Sequence, residues 1–224
     1  KNENELSMKN DKHSRNTSNL PFRPILIPNM ITEQESLNLI WFHKTHKHLR
    51  SIGDGSDYRG IEKEFIHTEW IRQLFYKVDF QVTGILKEET GKTYYPEQTG
   101  TLNEWEIGGF QEPHLDTYSN VELNSLSSTE IDHLKTHPNR EWTLILPLNA
   151  NFKGGECYFP AADNNPVSLW HSPAAGEGVL FNGIDHLHGV TTVRRGSRHT
   201  VSNWYSSNPD NIPSDQRKFI QPDN

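Results

Sequence analysis

Cysteine is almost absent from this chain, which holds a single one, Cys157, among its 224 residues. A single cysteine excludes any intrachain disulfide and favours a reducing compartment over an oxidising one. Long apolar runs are also missing, because no stretch approaches the roughly 20 consecutive apolar residues that span a bilayer. The first residues lack the apolar core of a secretion signal. From these absences we expect a cytoplasmic protein with no membrane partner.

Positive charge is scarce as well. The chain has 22 Lys and Arg residues against 29 Asp and Glu residues, which gives a formal net charge of −7. Proteins that bind nucleic acid neutralise phosphates with clustered basic side chains. The most basic spot is the pair Arg194 and Arg195, which we interpret as a solvated turn. The composition therefore predicts no nucleic-acid partner, and it does not indicate an oligomeric state.

The chain divides into a polar tail and one domain. Residues 1–20 are rich in Asn, Lys and Ser and carry few apolar side chains, so we expect them to be disordered. Residues 21–224 are long enough for a single domain with a full core. Residues 24–27 predict a first strand. Thr32 and Glu35 form a capping box, which predicts a helix that continues to about Leu49.

A second, longer helix is predicted from apolar residues that recur at helical spacing and would pack on a sheet: Trp70, Ile71, Leu74, Phe75, Val78, Val82, Ile85 and Leu86. After Gly91 the helical period ends, and short strands separated by Gly, Pro and Asn turns continue to about Tyr205. Helices followed by many short strands indicate an α+β fold, a double-stranded β-helix (jelly-roll) barrel with buttressing N-terminal helices.

Two segments interrupt this pattern. Residues 118–139 break the strand pattern and would form either a lid over the mouth of the barrel or an inert surface excursion. Residues 53–60 (GDGSDYRG) are expected to form a flexible loop. The glycines of this loop are too sparse for a phosphate cradle.

Two histidines and an aspartate form the strongest candidate for a functional site. His114 and Asp116 stand two positions apart, and side chains at i and i+2 of a strand point to the same face. His188 follows much later in the chain. Such a set is typical of non-heme Fe(II), and it leaves coordination positions open for a cosubstrate and O2. A structural metal site would close its shell with a fourth ligand, usually a cysteine.

The other histidines are weaker candidates. His186 would face the same side of a strand as His188, but the Gly-Val that follows His188 and its spacing to Arg198 favour His188. His199 alternates with Arg198 along a strand and is expected to face outward. We interpret six others as solvated helix or loop residues, namely His43, His46, His48, His133, His137 and His171.

Arg198 lies in the segment 193–204, where β-branched and aromatic residues after a Gly-containing turn indicate a strand. A guanidinium in that place can bind a carboxylate in bidentate fashion. The sequence thus predicts a dicarboxylate that bridges the metal and a buried arginine.

Four longer segments extend the pattern in a fixed order. They are 105–116 (WEIGGFQEPHLD), the Arg-x-x-Thr strand 140–149 (REWTLILPLN), the Gly-Gly turn 154–160 (GGECYFP) and the strand 173–181 (PAAGEGVLF). Over residues 22–206 the sequence resembles the Fe(II)- and 2-oxoglutarate-dependent dioxygenases. Within them it is similar to the prolyl 4-hydroxylase-like branch of bacterial and viral type. By the same resemblance, the loop 53–60 would lie near the substrate entrance.

The resemblance implies a role for each matching residue. His114, Asp116 and His188 would bind the iron, while Arg198 and Thr143 would bind the far carboxylate of 2-oxoglutarate. Trp105 replaces a Tyr that contacts 2-oxoglutarate in the family. It is therefore either a cosubstrate neighbour, through its indole N–H, or an aromatic wall residue.

The same resemblance implies the reaction. The cosubstrates would be 2-oxoglutarate and O2, with ascorbate as a candidate reductant. The reaction would convert 2-oxoglutarate to succinate and CO2 while it hydroxylates a substrate.

The resemblance favours prolyl residues of a peptide or protein as the substrate, and a free amino acid or another small molecule is the alternative on the same fold. A nucleic-acid demethylase with this iron site would need an Arg where Trp204 stands. Two hypotheses come from other classes. One is a catalytically silent jelly-roll binding protein, and the other is a cupin-like metal enzyme that does not need Arg198.

Overall fold

The computed structural model describes residues 24–52, 58–97, 100–116, 140–160, 168–170 and 174–211. The predicted disordered tail, residues 1–20, and the predicted excursion, residues 118–139, lie outside the described residues. The division into a tail and one domain stays a prediction.

Two α-helices, α1 (Glu33–Thr45) and α2 (Glu69–Thr90), occupy the first half of the chain. The predicted capping box opens α1, because the Glu35 backbone N–H donates to Thr32 Oγ1 at 3.1 Å and the Thr32 N–H donates to Glu35 Oε2 at 2.7 Å. Helix α1 ends before the predicted Leu49, since residues 47–49 tighten into a 3₁₀ turn. Helix α2 ends at Gly91, whose left-handed φ of 73° suits a glycine.

Twelve strands are named in the described part of the chain. They are β1 (Ile25–Ile27), β2 (Ser51–Ile52), β3 (Tyr58–Glu62), β4 (Tyr95–Pro96), β5 (Thr101–Trp105), β6 (Gln111–His114), β7 (Trp142–Pro147), β8 (Cys157–Phe159), β9 (Ser168–Trp170), β10 (Gly178–Asn182), β11 (His188–Val190) and β12 (Arg198–Ser206). The larger sheet has the order β1-β10-β7-β12-β5-β3-β2, with β4 paired to β12, and the smaller sheet has the order β6-β11-β8-β9.

The two faces of the larger sheet have different roles because side chains alternate along each strand. One face packs against the helices in a core that includes Leu102, Leu144 and Val201 together with the apolar stripe of α2. The other face carries Trp105, Thr143 and Arg198 and lines a cavity that the smaller sheet closes from its opposite side. The helices thus buttress one sheet, and the candidate site lies between the two sheets.

Part of the predicted loop 53–60 is a strand. Residues 58–60 belong to β3, which pairs antiparallel with β5 in the register Tyr58↔Trp105. The Gly-rich composition predicted a loop, but hydrogen bonding to a neighbouring strand overrides that local preference.

Two histidine predictions are wrong. His199 does face away from Arg198, yet it is buried, and His43 on α1 is buried as well. Their rings lie on either side of Glu104, with His43 Nδ1 3.6 Å and His199 Nε2 3.5 Å from its carboxylate, and Arg50 joins the same carboxylate at 3.4 Å. Alternation along a strand gives the face of a side chain, but it does not show that helix α1 covers that face.

Within the residues that the structure describes, no helix is both long enough and apolar enough to cross a membrane.

Candidate metal centre

The pairing of β6 with β11 brings two of the predicted ligands together. His114 and His188 are register partners, and their ring centroids lie 4.4 Å apart. Asp116 lies two residues beyond the end of β6, and its carboxylate lies 3.3 Å from His188 Nε2 and 3.9 Å from His114 Nε2. The three ligating atoms all lie within 4.8 Å of one another, whereas His186 is outside this group. This spacing allows the three residues to bind one ion.

Hydrogen bonds fix the ring orientation of both histidines. His114 Nδ1 lies 2.9 Å from the Glu112 carbonyl oxygen, and His188 Nδ1 lies 3.1 Å from the His186 carbonyl oxygen. A carbonyl oxygen can only accept, so each Nδ1 carries the proton and each Nε2 directs its lone pair toward Asp116. This arrangement is common for metal-binding histidines in proteins.

The electrostatics of the site favour a cation. Burial alone would raise the pKa of Asp116, but His188, His114 and a hydrogen bond from Thr143 lower it below its ordinary value. Burial, together with His188, lowers the pKa of His114, which keeps its Nε2 lone pair available at neutral pH. Among the described residues the set stops at three ligands. Two imidazole nitrogens and one carboxylate fit a non-heme Fe(II) site with open positions.

A cavity of about 680 Å³ extends from these ligands to Arg198. Arg198 is 2 % exposed, and burial lowers its pKa to about 10, so it is still charged at neutral pH. Its Nε–H has no hydrogen-bond partner among the described residues. Gly155 permits this position, because a Cβ atom there would lie 2.9 Å from Arg198 Cδ. A buried cation is costly unless it is paired, so Arg198 is suited to receive an anion inside the cavity.

Trp105 lies beside Arg198, since the two are register partners on β5 and β12. The indole is 4 % exposed, and its N–H also has no hydrogen-bond partner in the described part of the chain. Two unpaired buried donors on neighbouring strands fit a carboxylate acceptor. Cys157 lines the same cavity, and its thiol is protonated at neutral pH because burial raises its pKa to about 11.

Thr143 also lines the cavity, but its hydroxyl donates a hydrogen bond to Asp116 Oδ2. Its predicted contact with 2-oxoglutarate stays a prediction. Two further features of the site were not predicted. Gly183 packs directly against Asp116, and Arg140 stacks 3.7 Å from the Trp204 ring centroid while its Nε donates to Glu97 at 3.0 Å. Sequence spacing gave no indication of these contacts, because each joins segments that are distant in the chain.

The family described as the 2OG-Fe(II) oxygenase superfamily matches residues 100–206, a range that holds all six predicted site residues. That match covers just under half of the chain, so the chain is similar to the 2OG-Fe(II) oxygenases over this range. Prolyl 3-hydroxylase 1 of Rattus norvegicus is 34% identical to this chain over 97 residues, which are 43% of the chain and 13% of the relative. Prolyl 3-hydroxylase 2 of Gallus gallus is 26% identical over 214 residues, covering 83% of the chain and 30% of the relative. The chain therefore spans less than a third of the length of these relatives.

Solved structures confirm the predicted double-stranded β-helix fold of this chain. A Pseudomonas putida prolyl-4-hydroxylase has a TM-score of 0.60 at 14% identity, and the match covers 81% of this chain and 91% of that one. A Trichoplax adhaerens prolyl hydroxylase, solved in complex with a hypoxia inducible factor peptide fragment, has a TM-score of 0.61 at 15% identity, with 88% and 87% covered. At these identities the likeness shows the fold alone.

Proposed function

We propose that the protein is an Fe(II)- and 2-oxoglutarate-dependent hydroxylase that acts on prolyl residues of a peptide or protein. The observation that carries the proposal is the position of Arg198, a buried cation in the same cavity as a three-ligand metal centre. A metal enzyme without 2-oxoglutarate would have no use for such an arginine. A silent binding protein would have no use for the complete ligand set.

Each site residue has a role in this proposal. His114, Asp116 and His188 hold the ferrous ion, while Arg198 binds the far carboxylate of 2-oxoglutarate and the Trp105 N–H donates to it. When bound, Fe(II) and 2-oxoglutarate supply the activation of O2 and the hydroxylation, with release of succinate and CO2. The chain itself orients the cosubstrate and excludes water from the cavity between the sheets.

The aromatic lining of the cavity supports a substrate with an apolar ring. The rings of Tyr58 and Trp105 lie 4.9 Å apart with their planes tilted, and the exposed Phe110 lines the same cavity. Aromatic faces of this kind suit an apolar group such as a pyrrolidine ring. The names of the sequence relatives and of the structural neighbours point the same way, because all of those described above are prolyl hydroxylases.

Two versions of the proposal differ in the ring position at which the prolyl residue is hydroxylated. The resemblance in the sequence favours 4-hydroxylation, whereas the sequence relatives described above are prolyl 3-hydroxylases. Both versions use the same iron and cosubstrate sites, so the product must decide between them.

The test is incubation of the purified protein with Fe(II), 2-oxoglutarate, O2 and ascorbate and a panel of proline-containing peptides. We expect succinate and peptides heavier by one oxygen atom, with neither product from an Asp116→Ala variant. Chromatography of the hydrolysed peptides then separates 3-hydroxyproline from 4-hydroxyproline. Turnover with free proline or another small molecule, and none with peptides, would show that the substrate is a small molecule and not a peptide. If wild-type protein loaded with iron gave no succinate with any substrate, the proposal would be wrong.

A cytoplasmic location completes the proposal. It is supported by the single cysteine, whose thiol is buried and protonated. Fractionation of the source cells tests it, and recovery of the full-length protein outside the cytoplasm would contradict it.

A further inference from the structure

A hydrogen bond between the two sheets holds the carboxylate of Asp116. Thr143 lies on β7 of the larger sheet, and Asp116 lies two residues beyond the end of β6 of the smaller sheet. The Thr143 hydroxyl donates to Asp116 Oδ2, and both side chains are buried. The same oxygen is the one that lies 3.3 Å from His188 Nε2. Thr143 thus contacts a predicted ligand on the side where it meets the second histidine.

Gly183 leaves the space that this hydrogen bond needs. A Cβ atom at position 183 would lie 2.5 Å from Asp116 Oδ2 and 2.6 Å from Thr143 Oγ1, so one of the two side chains would have to move. The φ angle of Gly183 is outside the left-handed region, so the backbone alone does not require a glycine there. The steric need comes from the two side chains.

The backbone of Gly183 also ties the loop after β10 to the metal centre. The Asp116 N–H donates to the Gly183 carbonyl at 3.0 Å, and the Gly183 N–H donates to the Glu141 carbonyl at 3.0 Å. Glu141 is two residues before Thr143. The segments that carry Asp116, Gly183 and Thr143 are therefore linked to one another through both backbone and side chain.

We propose that Thr143 and Gly183 are positioning residues that fix the Asp116 carboxylate for metal binding, an inference that rests on the metal site of the proposed function. With one oxygen held by a buried hydroxyl, the carboxylate plane cannot turn freely about the Cβ–Cγ bond. Less conformational freedom then has to be lost when the metal binds. Partners of this kind typically change metal affinity by 10- to 100-fold when they are removed.

The test is an anaerobic titration of the metal-free protein with Co(II) alone, without 2-oxoglutarate, followed by visible absorption. Thr143→Val removes the hydroxyl at nearly constant volume and should weaken Co(II) binding roughly 10- to 100-fold. Thr143→Ser keeps the hydroxyl and should restore affinity to within a few-fold of wild type. Gly183→Ala should weaken binding in the same direction as Thr143→Val.

Thr200→Val is the matched control. Thr200 is buried on the neighbouring strand β12, and its hydroxyl has no hydrogen-bond partner among the described residues. The same loss of a buried hydroxyl should leave Co(II) affinity unchanged there. Circular dichroism and thermal unfolding of each metal-free variant identify any that fail to fold, and the Ser variant keeps the test decisive if the Val variant does so.

Wild-type affinity in Thr143→Val would overturn the inference, and a loss confined to 2-oxoglutarate binding would assign Thr143 to the cosubstrate instead. Failure of the proposed function gives a different result, since it requires wild-type protein that binds metal and hydroxylates nothing. The ratio of variant to wild-type affinity for Co(II) is independent of that outcome. Wild-type protein that bound no metal would overturn both.

Discussion

At the scale of single residues, the burial of Arg198 is the most unusual feature of the protein. Its Nε–H has no hydrogen-bond partner in the described structure, and a buried cation is retained at a cost in folding, which a bound dicarboxylate would offset. Arg198→Met keeps the length of the side chain and removes its charge. Loss of a charged hydrogen-bonding group costs about 1.5–3 kcal/mol, so we expect the Kd for 2-oxoglutarate to rise about 10- to 150-fold.

Isothermal titration of the Co(II)-loaded protein with 2-oxoglutarate measures this effect. Co(II) affinity itself should not change, because Arg198 is not a ligand. Arg194→Ala is the control, since that arginine is mostly exposed and lies 3.8 Å from Glu156. Equal affinity of the Arg198→Met variant and wild type for 2-oxoglutarate would show that the cosubstrate does not bind there.

The indole N–H of Trp105 makes a smaller contribution in this account. Trp105→Phe keeps the aromatic contact with Tyr58 but removes the donor. A neutral donor is worth about 0.5–1.5 kcal/mol, so the Kd for 2-oxoglutarate should rise about 2- to 10-fold in the same titration. Trp41→Phe is the control, because Trp41 on α1 is 62% exposed and lies outside the cavity, and it should have no such effect. Unchanged affinity in Trp105→Phe would leave Trp105 as an aromatic wall.

Local patterns in the sequence located residues that the structure brings together, and the roles of these residues stay predictions. His114 and Asp116 from the His-x-Asp pattern lie close to His188, and Arg198 from the strand pattern lines the adjoining cavity. The link between Thr143 and Asp116 could not be found in this way, because it depends on how two sheets approach each other. The burial of His43 and His199 was missed for a similar reason.

At the scale of elements, the apolar stripe of α2 was predicted and is confirmed as core. Trp70 is the exception, since the first turn of the helix leaves it partly exposed. A long periodic stripe is strong evidence for a helix that is buried on one face, because many apolar residues must all fall on that face. The short strands are different. β8, β9 and β11 have three residues each, too few for a period to be recognised, and pairing with neighbours determines them.

Two alanine substitutions on α2 should distinguish its buried face from its exposed face. Leu86 is fully buried, so Leu86→Ala should lower the free energy of unfolding by about 2–5 kcal/mol. Phe80 on the same helix is 83% exposed, and Phe80→Ala should change it by no more than about 0.5 kcal/mol. Urea unfolding followed by circular dichroism measures both. A cost for Phe80→Ala as large as that for Leu86→Ala would mean that the outer face of α2 is also packed.

At the scale of the whole molecule, the buried histidines should make stability depend on pH. Burial lowers the pKa of His43 to about 4 and that of His199 to about 3, with the cation Arg50 adding to the effect in both and Lys44 nearby. The unfolded chain takes up protons near the ordinary value of 6.5, whereas the folded chain does not. The stability contribution is therefore complete above pH 6.5 and is lost as the pH falls toward 4.

Each histidine contributes a slope of at most about 1.4 kcal/mol per pH unit in that window. Urea unfolding of the metal-free protein at pH 7, 6 and 5 measures this slope, because these pH values lie on both sides of the ordinary histidine pKa of ~6.5. A double variant, His43→Gln with His199→Gln, should lose the pH dependence of stability that these two histidines cause. The contribution of His114 to the pH dependence should remain. If the double variant had the same pH dependence as wild type, the two buried histidines would not be its source.

The architecture explains why the fold could be predicted from the sequence, whereas the substrate-binding surface could not. Alternation along β5, β7 and β12 places apolar residues against the helices and site residues against the second sheet, and both patterns can be read along the chain. The substrate-binding surface depends on the mouth of the cavity. The residues that line this cavity come from strands that are distant in the chain, and their meeting leaves no periodic pattern in the sequence.

The most direct test of the iron and 2-oxoglutarate site is an anaerobic titration of the metal-free protein with Fe(II) and then 2-oxoglutarate, followed by visible absorption. The account predicts a metal-to-ligand charge-transfer band that appears only when both are present and saturates at one iron per chain. It predicts no band in Asp116→Ala and a higher 2-oxoglutarate requirement in Arg198→Met. Iron bound to wild-type protein with no band at saturating 2-oxoglutarate would contradict the account and leave a metal protein that does not use this cosubstrate.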